Sequence, residues 1–243
     1  MQRLCMNASP DNFLDWLLRY DAFNRGFPGA AAELAGRIAG MIDYFGDIEA
    51  EMIASRIIAA ITDEFLDRST GEIALHSKLR RELTLFSMKE LTGRSRREAL
   101  DVVKAHDPLR REILVATRMG YGLENPDKFR GTFYGLGFFT ASETSGSNEF
   151  IMLNRYMDAE WPGLKSAMQA ATDDQGRALY AWISDHEDLE ADHAKFAFKS
   201  IELAFQSLLP DSVGKRTNTA YDEMRRGISD FFEMAARTLL ADP

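Results

Sequence analysis

The chain has 243 residues, 45% of them apolar, enough to bury a substantial core in one domain spanning 1–243. A formal net charge of −9 argues against a nucleic-acid partner, which calls for clustered Lys and Arg, and the one basic cluster, "GRSRREAL" (93–100), is short. No apolar run approaches the roughly 20 residues that span a bilayer, and "MQRLCMNASPDN" lacks a signal peptide's apolar stretch, so a cytoplasmic location without membrane association is expected. The single cysteine, Cys5, excludes an internal disulfide and any multi-cysteine zinc site.

Helix follows helix along the chain. A first helix over 10–24 starts at the Ser9/Asp11 capping signal, and a second over 28–46 starts with Pro28 in its first turn. A third, 48–68, carries apolar residues at helical spacing until "RSTG". Helices over 72–92, 96–106, 108–121, 127–160, 174–206 and 211–240 complete the set, the helix over 127–160 bending around its Gly and Ser residues at 142–147. No run alternates with period two. The reading is all-α, a bundle of about seven to nine helices in a single domain.

Within 174–206 the stretch "DHEDLEADH" (185–193) holds two of the chain's four histidines and five acids. Projected at about 100° per residue, His186, Glu190 and His193 fall on the stripe of Leu179, Ile183, Ala197, Ile201 and Ala204, while Asp185, Glu187, Asp188 and Asp192 point elsewhere. Three ionisable groups aimed at a core need compensation, by a buried hydrogen-bond network or by a metal ion. Other helices repeat the anomaly. Glu64 shares a face with Ile53, Ile57, Ala60 and Ile61; His76 shares one with Ile73, Leu79 and Leu83. Glu143 lies in line with Leu136, Phe139, Phe150 and Met157, next to Gly135, Gly146 and Ser147, whose small size leaves room beside the carboxylate or lets another helix approach. Glu33 lies at the border of its helix's apolar side, with Asp43 and Glu49 as competitors, and Glu72 can substitute for Glu64. His106, before Pro108, reads as a capping or surface residue.

"AAITDEF…GEIALHSKL" (59–79), "WISDHEDLEADHAKFAF" (182–198) and "FNRGFPGAAAEL" (23–34) resemble segments of the haem-oxygenase-like diiron oxidases and oxygenases, over most of residues 20–205. The resemblance implies a haem-oxygenase-like helical bundle and a metal-ligand set of Glu33, Glu64, His76, Glu143, His186, Glu190 and His193. It further implies two Fe(II) ions per chain, with O2 as co-substrate, and oxidation of a small molecule such as an amino acid, a fatty acid or a derivative by N-oxygenation, desaturation or oxidative C–C cleavage. An amino-acid-derived substrate in a biosynthetic pathway is expected, and Mn is the competing ion for the same ligands. Two departures stand out: the last cluster carries Glu190 where many members have Asp, and the long Glu143-to-His186 interval implies an insertion around 160–175.

Relatives on that scaffold fit less well. There is no histidine before His76 for haem, no core cysteine for thiamin hydrolysis, and only one Glu-x-x-His motif where ferritin-like proteins have two. A cofactorless PqqC-like oxidase remains an alternative, as does a non-catalytic helical module that binds another protein. Arg130 and Arg155 are candidates for binding a substrate carboxylate, with surface ion pairs as the competing reading. Phe231, Phe232, Met234 and Leu239 offer a face for a homodimer.

Overall fold

The computed structural model describes residues 9–66, 73, 75–208 and 213–239. Cys5, Glu72 and Asp188's side chain lie outside them. The described chain is an all-α helical bundle of ten α-helices and one 3-10 turn, slightly more than the sequence suggested. Its only β pairings are isolated bridges, Leu66 with Ile73 and Thr172 with Ala178. No helix among the described residues is long and apolar enough to cross a membrane.

Helix α1, Pro10–Ala39, begins where the Ser9 hydroxyl accepts the Asn12 N–H at 3.2 Å. It runs unbroken through Pro28, where local rules place a boundary. The cost of the lost hydrogen bond is met by packing: Phe23, Pro28, Ala30, Ala31 and Leu34 are all buried, and α1 lies against five other helices. Short α2, Ile42–Phe45, leads through Gly46 (φ 91°) into α3, Asp47–Ile61. The chain then tightens into the 3-10 turn Thr62–Glu64 where helix was expected, with Phe65 N–H bonded to Thr62 O at 3.1 Å, and residues 67–68 of the expected helix lie outside the described residues.

Helix α4, His76–Thr92, stops at the left-handed Gly93. Helix α5, Arg96–Ala105, is opened by a reciprocal capping box between Ser95 and Glu98. His106 joins α5 to α6, Asp107–Gly120, as the flanking residue of both. Helix α7, Lys128–Glu160, is continuous. The 160–175 region contains a helix the sequence reading missed, α8, Pro162–Ala170, with Pro162 in its first turn. A turn closed by Asp173, which accepts the N–H groups of Gln175 and Arg177, delays α9 to Ala181–Gln206. Helix α10, Val213–Leu239, ends the described chain.

Helix α7 packs against both α9 and α10. The α7–α10 approach is set by glycine: a Cβ on Gly137 would lie 2.1 Å from Met224 O, and one on Gly227 would lie 2.0 Å from Tyr134 O. Of the α10 residues read as a dimer face, Phe231 is core, 1% exposed, whereas Phe232 is 53% exposed.

Two apolar clusters meet along α7 and α9. Phe139 and Ala197 belong to one; Phe150 and Ile183 belong to the other. On α7, Glu143 falls between Phe139 and Phe150; on α9, the His186–His193 segment falls between Ile183 and Ala197. The ionisable residues therefore occupy the seam between two dry regions.

Candidate metal centre

Helical spacing on α9 turns His186, Glu190 and His193 inward, with exposures of 2%, 7% and 4%, while Asp185 and Asp192 face solvent. Glu187, half-buried, accepts a 2.9 Å hydrogen bond from Asn154. Glu64 comes from the 3-10 turn, His76 is the first residue of α4, and Glu143 lies mid-way along α7. These six residues form two triads, Glu64–His76–His186 and Glu143–Glu190–His193, in each of which one donor atom per residue lies within 4.8 Å of the others.

In the first triad, Glu64 Oε1 is 3.8 Å from His76 Nδ1 and 3.6 Å from His186 Nε2. In the second, His193 Nδ1 is 3.6 Å from both Glu143 Oε2 and Glu190 Oε2. Such gaps are too long for good hydrogen bonds. They suit two ligands on one first-row ion, whose bonds of about 2.0–2.2 Å place donors roughly 3–4.4 Å apart.

The chemistry of the donors agrees. His186 Nδ1 donates to Trp182 O at 2.6 Å, which leaves the Nε2 lone pair facing Glu64, the orientation a metal-binding imidazole requires. His76 Nδ1 is buried and has no hydrogen-bond partner among the described residues, an orphan that an ion would satisfy. Gly146 makes room for Glu190, since a Cβ there would lie 2.5 Å from Glu190 Oε2. The residues present fit metal ions, and the two triads are buried clusters able to hold them.

The electrostatics differ between the triads. Burial alone would raise the Glu64 carboxyl, but the Arg80 guanidinium, helped by His186 and His76, holds it well below the usual carboxylate range. Arg80 is 2% exposed and donates to Glu64 Oε2 at 3.0 Å; its Nε is 3.7 Å from Asp21 Oδ1, and it lies 5.6 Å from the centre of the Trp182 ring. Burial, then the charge of Glu190, pushes the Glu143 carboxyl well above its usual range against the pull of His193. Glu149, raised chiefly by burial, accepts from Tyr20 Oη at 3.1 Å.

One cavity of about 50 Å³ touches both triads: Glu64, Glu143, Glu190 and His193 line it, together with Glu149 and Tyr20. Sequence reasoning missed Arg80, Asp21, Tyr20 and Glu149. For Arg80 a signal exists, because it lies one helical turn after His76 and between Leu79 and Leu83 on the stripe already read as buried.

Three expected residues lie elsewhere. Glu33 is 44% exposed at its side chain and pairs with Arg118 at 2.8 Å, because its position at the border of the apolar stripe resolves toward solvent. Its competitors Asp43 and Glu49 are also exposed. Arg130 is a half-exposed partner of Asp127 and Glu223, at 3.5 and 3.2 Å, and Arg155 is exposed; neither lines the cavity.

Fold and site together define an all-helical protein with a buried pair of carboxylate–histidine triads. Comparison with protein-family models, with curated proteins and with solved structures finds no match for this chain.

Proposed function

We propose that this protein is a cytoplasmic non-haem diiron enzyme that uses O2 to oxidise a small molecule, an amino acid or a derivative of one, by N-oxygenation or oxidative C–C cleavage in a biosynthetic pathway. The observation that carries the reading is the pair of Glu/His triads, of which Glu64 from the first and all three residues of the second line one cavity. Mixed imidazole and carboxylate donors suit Fe(II), with Mn(II) as the competing ion. Iron bound there would supply the electrons and open coordination positions that O2 reduction needs.

The chain's own groups prepare that chemistry. Arg80 engages Glu64 Oε2, so that Oε1 is the oxygen presented to the two histidines. Trp182 O fixes the His186 proton on Nδ1. Tyr20 Oη donates its proton to Glu149 at the cavity wall. The cavity's small volume admits only a few water-sized molecules, which limits access of bulk water.

The test is to load the purified protein with Fe(II) under nitrogen, admit air, and follow O2 uptake across a panel of amino acids. Iron-dependent uptake stimulated by at least one of them, with product formed, is expected. Uptake no greater than that of free Fe(II) with every compound would refute the reading.

A further inference from the structure

We propose that a second pocket, between α1 and α10, binds a small ammonium compound with an apolar tail, its charged end on Glu149 and its tail along Trp16, Phe232, Ala236 and Leu239. The proposal rests on the oxidase reading only for the role of this compound as substrate.

The metal cavity, at about 50 Å³, has no room for the body of an organic substrate. The α1–α10 pocket, about 240 Å³, does, and it shares two lining residues with the metal cavity, Tyr20 and Glu149. These two are hydrogen-bonded to each other at 3.1 Å and form the wall between the spaces. A molecule seated in the larger pocket therefore has its inner end beside the wall that faces the triads. Arg19 Nη1 reaches Thr238 O at 3.4 Å and ties the end of α10 to α1, which holds the pocket's sides together.

The lining selects charge. Among the described residues Glu149 is the only carboxylate lining the pocket, and no cationic side chain lines it. A carboxylate can accept further donors beyond Tyr20 Oη. An anion entering the same space would meet the like charge of Glu149. The rest of the lining is aliphatic or aromatic, suited to a hydrocarbon tail.

The experiment uses hexylamine, hexanol and hexanoate as probes, titrated calorimetrically into the full chain without added metal. Hexylamine is expected to bind at least about 10-fold more tightly than either of the others. Glu149→Gln should lower hexylamine affinity by about 10-fold or more while leaving hexanol binding unchanged. Ala236→Trp should fill the pocket and remove binding of all three, and Glu149→Gln decides alone should that variant not fold. Equal binding of hexanoate or hexanol, hexylamine binding indifferent to Glu149→Gln, or no binding of any probe overturns the proposal. Repeating the titration alongside iron loading separates the two ideas: amine binding without iron uptake removes the oxidase and keeps the pocket, and iron uptake without amine binding does the reverse.

Discussion

At Glu64 the protein brings its own cation to a buried carboxylate, whereas at Glu143 it brings a second carboxylate and, among the described residues, no guanidinium or ammonium. The contrast shows in the direction of each acid's shift: down at Glu64, up at Glu143. The first triad is held in place by Arg80 and the Trp182 carbonyl before any metal arrives. The second sets two carboxylates side by side in a water-poor seam, and burial with Glu190 beside it favours the protonated form of Glu143 until a cation enters. Metal binding should therefore organise the second triad more than the first.

The largest effects should come from removing ligands. His186→Ala and His193→Ala should each lower iron content from two ions per chain to one, with affinity at the damaged position falling by more than about 100-fold, measured by metal analysis after equilibrium dialysis. Two ions retained in either variant would break the assignment of that histidine. Arg80→Met probes the contrast directly. It leaves Glu64 and Asp21 buried without their shared cation, which should cost about 3–5 kcal/mol in denaturant unfolding of the metal-free protein.

A smaller effect is expected in the second triad from Gly146→Ala. The added methyl would press on Glu190 Oε2, costing about 1–3 kcal/mol and weakening the second ion more than the first. Both ions bound as in the parent would show that Glu190 has freedom to move. The pH dependence sharpens the same point. Glu143 titrates above its unfolded value, so its stabilising share is fully present below about pH 4.5 and is lost as pH rises toward its elevated folded value. Glu64 titrates below its unfolded value, so its share is fully present above about pH 4.5 and is lost only in stronger acid. Metal-free protein should accordingly melt at lower temperature as pH is raised from about 5 to 8, and metal-loaded protein at higher temperature, because binding needs the carboxylates ionised. Parallel curves would remove the distinction between the two triads. Smallest of all, Glu33→Ala breaks an exposed ion pair and should change stability by no more than about 1 kcal/mol, with iron content unaltered.

What the sequence disclosed follows from what periodicity can carry. The inward aim of His186, Glu190 and His193 is a property of one helix, and a projection recovers it; the same holds for Glu143 on α7. Arg80 was missed because a cation on an apolar stripe reads as a long side chain reaching for solvent, and only the fold reveals Glu64 and Asp21 waiting for it. Glu149 and Tyr20 belong to different helices, and their meeting is a tertiary fact. Pro28 misled in the opposite sense: its local chemistry predicts a boundary, and packing on either side of α1 overrides it. Glu33 was misplaced because a residue at the edge of a stripe has no aim of its own until neighbouring helices decide which side is covered.

The central claim is that two ions sit between these helices, one at each triad. Anomalous diffraction at the iron edge, from crystals grown with Fe(II) under nitrogen, tests it most directly. The account predicts two peaks per chain, one within bonding distance of Glu64, His76 and His186 and the other of Glu143, Glu190 and His193. Density free of iron at both triads, with their side chains hydrogen-bonded to one another or to water, would contradict it.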